Sequence, residues 1–197
     1  MPRTAAITRS CAGSSASSGL LMRERADLPL HAGRRASATR DGVCYLPGGA
    51  TAVLSGRRVM TIDIDIDVAL GRRAGTRAGR AAAGLPLITS KLGVNVELAS
   101  PREFIPLPSE WQARRVSVTR DGPLSFEHFD PYSQALSKLE RGHAQDLDDV
   151  DALLRLGLVE PTRLRELYAQ IEDELYRFSA IHPAQFREAV AAAVTKA

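Results

Sequence analysis

The sequence lacks several features that define whole classes of protein. It has two cysteines, Cys11 and Cys44, which are too few for a four-cysteine metal site or a disulfide framework. No apolar run approaches the roughly 20 residues of a membrane span, so we expect no membrane segment. The N-terminus has no apolar stretch typical of a secretory signal, and no internal repeat is visible. These absences favour a soluble protein of the reducing cytoplasm.

The length and charge of the chain further limit the classes of protein to which it can belong. The chain has 197 residues, of which 44% are hydrophobic, and this suits one compact domain or a small core with a helical extension. The net charge is +3, and the excess of basic residues lies before Asp121. A basic region of this kind suits a polyanionic substrate such as a nucleotide or RNA. Scattered arginine is also a product of GC-rich coding sequence.

The chain is organised around residues 61–68, where isoleucine alternates with Asp63, Asp65 and Asp67. This period of two predicts a β-strand with an apolar face and an acidic face. Neighbouring carboxylates on one face repel each other, and a divalent cation such as Mg²⁺, which takes carboxylate, water and phosphate oxygens, would relieve that repulsion. The alternative is a solvated edge strand, whose charges discourage aggregation.

A glycine turn precedes the acidic strand. Residues 43–46 predict a short strand, Gly48 and Gly49 form a turn, and residues 50–54 favour a helix. In such a unit, backbone N–H groups at the helix start can face a phosphate. Residues 94–98 predict a later strand that carries Glu97 on its polar face. We therefore expect Asp63, Asp65 and Glu97 to cluster at one end of a mixed sheet.

The second half of the chain predicts a hairpin and then helices. The hairpin turns at Asp121-Gly122, and Trp111 just before it is expected to be a packing residue. Helices are predicted over 133–142, from a cap at Asp146 to Gly157, from Pro161 and from Pro183. Asp149 is expected at the third position of the second helix, and His143 in the connection before it. Residues 1–42 predict a poorly ordered segment, and 69–92 a poor helix or a mobile loop.

The order of these features resembles the nucleotidyltransferase superfamily of DNA polymerase β type, whose members carry a glycine turn, a D-x-D strand and a third carboxylate. The block from Lys138 through Arg141 to Asp146 and Asp149 is similar to the Lys…Arg…Asp-x-x-Asp block of AbiEii-type nucleotidyltransferases. These are toxins of type IV toxin–antitoxin systems, with small bacterial relatives. The resemblance covers residues 43–68 and 93–196.

The resemblance implies an α+β fold, in which a small mixed β-sheet nucleotidyltransferase core at 43–130 precedes a C-terminal helical region at 131–197. It implies an enzyme that moves a nucleoside monophosphate from an NTP to an acceptor hydroxyl with Mg²⁺ or Mn²⁺. The acceptor would be tRNA or another nucleic acid, a protein or a small molecule, and an antitoxin protein would be a partner. The implied catalytic residues are Asp63, Asp65, Lys138 and Asp146; the metal ligands are Asp63, Asp65 and Glu97; the nucleotide-binding residues are Gly48, Gly49, Arg57 and Thr61.

Several alternatives stay open at the level of sequence. The metal pair could be Asp65 and Asp67, although Thr61 stands two residues before Asp63, as the motif requires. Gly49 leaves no hydroxyl where the family usually has Ser or Thr. Lys138 could be a solvent-facing lysine that contributes little to stability. Asp146 could be only a helix cap, and Arg57 could face solvent. The whole chain could be a catalytically degenerate binding or regulatory protein, or an arginine-rich nucleic-acid-binding protein.

Overall fold

The computed structural model of the chain describes residues 41–48, 52, 63–70 and 95–196, with only the backbone of Asp63 and Leu70. The predictions for residues 1–42, 50–54 and 69–92 fall almost wholly outside these ranges. The proposed boundaries between core and helical region stay predictions.

The described strands form one mixed five-stranded sheet. They are β1 (Gly42–Leu46), β2 (Asp63–Leu70), β3 (Asn95–Leu98), β4 (Val116–Asp121) and β5 (Leu124–His128), in the order β3-β2-β1-β5-β4. Strand β1 pairs antiparallel with β2 and parallel with β5, whereas β2 and β3 run parallel. The acidic strand β2 therefore lies between β1, which leads into the glycine turn, and β3.

The alternation in β2 divides its side chains as the sequence predicts. Ile64 is fully buried and Ile66 is 8% exposed, while Asp65 and Asp67 on the other face are partly exposed. In this register Tyr45 of β1 lies opposite Asp67, so it shares the acidic face. Its ring meets Trp111 and Phe129 edge-on, with centroids 5.5 Å away in both cases.

The predicted hairpin and the packing role of Trp111 are both confirmed. Strands β4 and β5 pair antiparallel, and Gly122 in their turn has a φ of 57°, which glycine adopts without steric cost. Trp111 stacks on the fully buried Phe129 with ring centroids 4.5 Å apart. These rings join the sheet to the segment that follows β5.

Four described helices follow the sheet, and together with it they give the predicted α+β fold. They are α1 (Pro131–Arg141), α2 (Ala144–Arg155), α3 (Pro161–Glu172) and α4 (Pro183–Lys196). No helix within the described ranges has the length and apolar character needed to cross a membrane. Helix α1 packs against the other three helices and also against a short 3₁₀ turn at Pro101–Glu103, just after β3. This contact brings α1 beside the acidic end of the sheet.

The helix starts differ from the predictions at two places. Helix α1 begins at Pro131 rather than at residue 133, because the buried Asp130 carboxylate accepts hydrogen bonds from the backbone N–H groups of Tyr132 and Ser133. The N-cap residue of α2 is His143, in the predicted connection, and its side chain makes no capping bond. The prediction that Asp146 caps this helix is therefore wrong, and Asp146 lies inside the first turn.

The helices enclose the larger part of the core. On α3 the side chains of Leu164, Leu167, Tyr168 and Ile171 are all buried. Burial of such side chains stabilises the fold by roughly 25 cal/mol per Å² of apolar surface removed from water. The α1 residues that complete this core are Ala135, Leu136 and Leu139. With that face of α1 fixed, its last turn is held in place next to the sheet.

Candidate active site

The glycine turn and the acidic strand touch directly. A Cβ atom built on Gly48 would lie 1.6 Å from Oδ2 and 2.6 Å from Cγ of Asp65, much closer than any real contact. The Asp65 carboxylate therefore occupies the volume that any larger residue would need at position 48. Only glycine allows the turn after β1 and the carboxylate in β2 to approach this closely.

The third predicted carboxylate lies beside Asp65 in the sheet. Glu97 is the register partner of Asp65 in the parallel pair of β2 and β3, and strands in such a pair are about 4.8 Å apart. The Glu97 Oε1 atom accepts a hydrogen bond of 2.6 Å from Asn95 Nδ2. The backbone of Asp63 pairs with Asn95 in the same register, while the side chain of Asp63 lies outside the described residues.

Asp67, the last aspartate of the strand, has partners of its own. Its Oδ2 atom lies 2.8 Å from Arg102 Nη2 and accepts a hydrogen bond of 2.9 Å from Ser100 Oγ. Ser100 is buried, and its Oγ also accepts from Arg102 Nε at 3.1 Å. Asp67 thus ties the segment after β3 to the central strand of the site. Together with burial, its charge raises the pKa of the Cys44 thiol to about 12.

The downstream block forms a buried network of four charges. Lys138 Nζ donates to Asp146 Oδ1 at 2.9 Å and to Asp149 Oδ2 at 2.8 Å. Arg141 donates through Nε to Asp146 Oδ2 at 3.0 Å and through Nη2 to Asp146 Oδ1 at 2.8 Å. Two positive and two negative groups therefore offset each other at the junction of α1 and α2.

This network corrects two expectations. Lys138 does not face solvent, since it is 7% exposed and enclosed by two carboxylates. Its removal would leave two carboxylates buried without their common partner, which is costly. Asp149 is not the third residue of the second helix but lies further along it, where it binds the ammonium group of Lys138. The third position belongs to Asp146.

The pKa of Asp146 reflects its surroundings. Burial alone would raise the pKa of this carboxyl group, but the hydrogen bonds from Arg141 and Lys138 together outweigh burial and hold the pKa below its ordinary value. The carboxylate is therefore ionised at neutral pH. Asp146 links the two cations in a fixed arrangement.

Between the sheet and the helices lies a cavity of about 310 Å³. This volume is at the lower end of the range of about 300–1,000 Å³ that is typical of ligand sites. The acids Asp65 and Glu97 line it from the sheet, and Arg141 and Lys138 line it from α1. The remaining lining residues are Pro47, Gly48, Ala99, Ser100, Pro101, Phe104, Ser137, Gln145 and Asp146.

Five of the residues singled out in the sequence thus meet at one cavity. They are Gly48, Asp65, Glu97, Lys138 and Asp146, which lie far apart in the chain. Outside the described residues lie Gly49, Arg57, Thr61 and the side chain of Asp63.

Sequence reasoning named Arg141 in the downstream block but gave it no role at the site, although it stands three residues after Lys138 and hence on the same side of α1. It also missed Phe104, over whose ring the guanidinium carbon of Arg141 lies at 4.9 Å from the centroid. The spacing of Lys138 and Arg141 was a usable signal. Nothing in the sequence links Phe104 to an arginine 37 residues further along the chain.

The donor set at the sheet end fits a hard divalent cation. Mg²⁺ typically takes one or two carboxylates and fills its other positions with water and substrate phosphates, and Asp65 and Glu97 are adjacent carboxylates at the cavity. Within the described part of the chain, no group of three or more His, Cys, Asp or Glu side chains is placed to hold a metal ion.

Comparison with protein families finds a match over most of the chain. A family model described as nucleotidyltransferase of unknown function (DUF6036) matches residues 37–187, which is most of the 197-residue chain. No curated protein and no solved structure matches the chain.

Proposed function

Since the chain belongs to the family described as nucleotidyltransferase of unknown function (DUF6036), we propose that it transfers a nucleoside monophosphate from an NTP to an acceptor hydroxyl. In this reaction the acceptor oxygen forms a bond to the α-phosphorus. The bond from that phosphorus to the oxygen shared with the β-phosphate breaks, and pyrophosphate leaves. The proton of the acceptor hydroxyl passes to solvent or to a carboxylate of the site.

The observation that carries the proposal is the meeting of the glycine turn, the acidic strand and the downstream block at one cavity. Phosphoryl-type transfer requires little covalent chemistry from the protein and depends on positioning and neutralisation of charge. The cavity has the carboxylates of Asp65 and Glu97 on its sheet side, and Lys138 and Arg141 together with Asp146 on its helix side. It therefore offers both a seat for a metal ion and groups that attract phosphate.

The residues have separate roles in this proposal. Asp63, Asp65 and Glu97 would hold Mg²⁺ or Mn²⁺, and when bound the ion would neutralise phosphate charge and orient the reacting oxygens. Gly48 and Gly49 would present backbone N–H groups to the phosphates. Arg57 and Thr61 would add contacts to the nucleotide, whereas Lys138 and Asp146 would form the wall that faces the nucleotide and the acceptor.

The biological setting rests on the resemblance to AbiEii-type proteins. It favours a cytoplasmic bacterial enzyme that acts as the toxin of a toxin–antitoxin pair, with an antitoxin protein as its partner and tRNA as one candidate acceptor. A protein side chain or a small molecule is an alternative acceptor, because the described part of the cavity has no feature specific to one class of acceptor.

A second candidate function is a catalytically degenerate member that binds nucleotide and regulates a partner. One observation favours it: two carboxylates surround the ammonium group of Lys138, so this cation is already offset by protein charge. Gly49 also leaves no hydroxyl where the AbiEii-type proteins it resembles usually have Ser or Thr, although some of their small relatives lack it too.

The experiment is incubation of the protein with each labelled NTP, Mg²⁺ and total RNA, followed by separation of free nucleotide, RNA and protein. We expect label on RNA or protein with the wild type and its loss in Asp65→Asn. The matched control is Asp148→Asn, which removes an exposed acid of α2 and should transfer normally. Binding of NTP without transfer to any fraction would support the degenerate alternative instead. Transfer unaffected by Asp65→Asn would contradict the proposed site.

A further inference from the structure

The buried charges form a series that leads from the helical core to the cavity. The exposed fractions of the side chains rise from 6% for Asp149 through 8% for Lys138 and 11% for Asp146 to 29% for Arg141. The charges alternate along this series, and each group binds the next. Lys138, Asp146 and Arg141 all line the cavity, and Arg141 is the most exposed of the three.

The two cations of the series differ in what they can offer to a ligand. Lys138 directs two of its three N–H bonds to carboxylates, and its side chain is almost fully covered. Arg141 uses Nε and Nη2 toward Asp146, and its Nη1 atom has no hydrogen-bond acceptor among the residues that the structure describes. Guanidinium can bind a carboxylate along one edge and a phosphate with its remaining N–H groups.

The guanidinium group is also held in a fixed orientation. Its carbon lies 4.9 Å from the centroid of the Phe104 ring, and Asp146 grips one edge of it through two hydrogen bonds. Phe104, Arg141 and Asp146 all line the cavity. A cation oriented in advance loses little conformational freedom when it binds an anion.

We propose that Arg141 is the residue of α1 that contacts the phosphates of the NTP, and that Asp149 and Lys138 are positioning residues that act on Arg141 through Asp146. This proposal rests on the proposed function, since it assigns a contact to the same cavity. Lys138 then lines the wall that faces the nucleotide, while Arg141 makes the contact with the phosphates. The block of α1 and α2 then serves as a rigid mount for one phosphate-binding arginine.

The test measures the binding of each NTP with Mg²⁺ by calorimetry, and the KM and kcat of transfer, for the wild type and Arg141→Gln. We expect affinity to fall by about 10- to 100-fold, since hydrogen bonds to charged groups contribute about 1.5–3 kcal/mol. The loss of affinity should appear as a higher KM for the NTP, while binding of the uncharged nucleoside should change little. The matched control is Arg165→Gln, which removes an exposed arginine of α3 outside the cavity lining.

The positioning role has its own readout. Asp149→Asn should weaken NTP binding when Arg141 is present and should have no further effect on binding in the Arg141→Gln background. Should Arg141→Gln fail to fold, Arg141→Lys keeps the charge without the two-edged geometry, and we expect a loss of about 3- to 10-fold.

The outcomes separate this proposal from the function on which it rests. A wild type that binds no NTP with Mg²⁺ would overturn the proposed function. Normal NTP binding by Arg141→Gln alongside loss of transfer in Asp65→Asn would overturn only the role of Arg141. An equal effect of Asp149→Asn with and without Arg141 would overturn the positioning role.

Discussion

At the scale of single residues, the clearest relation is between Gly48 and Asp65. The sequence suggests a phosphate-binding role for the glycine, but the structure adds that its missing Cβ makes room for the Asp65 carboxylate. Such a contact joins residues 17 positions apart. It could not be predicted, because the pattern around Gly48 gives no information on the volume above its Cα.

Gly48→Ala should therefore affect the site through Asp65. We expect the added methyl group to displace the carboxylate, to lower transfer at least about tenfold, and to destabilise the fold by about 1–3 kcal/mol through overpacking. The measurements are the transfer assay and urea unfolding.

The matched control is Gly122→Ala in the hairpin turn, where φ is positive and no atom lies within 4 Å of the added Cβ. It should cost about 1 kcal/mol through backbone strain and leave transfer unchanged. Wild-type transfer by Gly48→Ala would contradict the proposed role of the contact.

At the scale of secondary-structure elements, the features that depend on neighbouring residues in the chain were predictable. The alternation in β2, the turn at Gly122 and the prolines that open α3 and α4 were all visible in the sequence. The start of α1 was missed although Asp130 caps it locally, and the start of α2 was missed because Asp146 binds side chains of the preceding helix. The cap residue Asp130 is also bound by Arg114, at 3.1 and 3.0 Å, and Asp146 is drawn into the ion network instead of capping its helix.

The junction of α1 and α2 predicts a dependence of stability on pH. The folded-state pKa of Asp146 lies below its ordinary value, so the unfolded chain binds a proton more readily than the folded one. The stabilisation is thus fully present above the ordinary pKa of about 3.9. It is lost as the pH falls through the folded-state pKa below that.

Urea unfolding of the wild type and Asp146→Asn at pH 7 and near pH 3 measures how much the Asp146 carboxylate contributes to the free energy of unfolding. We expect the variant to be less stable by about 2–3 kcal/mol at pH 7, since two charged hydrogen-bond donors lose their carboxylate, and the difference to shrink toward pH 3. Asp148→Asn, at an exposed position of the same helix, should show little effect at either pH. A difference independent of pH would contradict the assigned charge state.

At the scale of the whole molecule, the order of elements and the α+β class were predictable, and so was membership of a nucleotidyltransferase family. The predicted site residues that the structure describes come from the turn after β1 and from β2, β3, α1 and α2. No periodicity in the sequence states that these elements meet. In the structure, α1 packs on the turn at Pro101–Glu103, and this contact brings the helices to the strands of the site. We propose that the resulting cavity holds a metal ion and a triphosphate between the acids of the sheet and Arg141.

The most direct test is a crystal structure of the chain with Mn²⁺ and an NTP analogue whose oxygen between the α- and β-phosphates is replaced by a group that cannot be cleaved. We expect an anomalous peak for Mn²⁺ about 2 Å from a carboxylate oxygen of Asp65, with the phosphates extending from it toward Arg141. Metal and triphosphate bound elsewhere on the molecule, with Asp65 and Arg141 touching neither, would contradict the account.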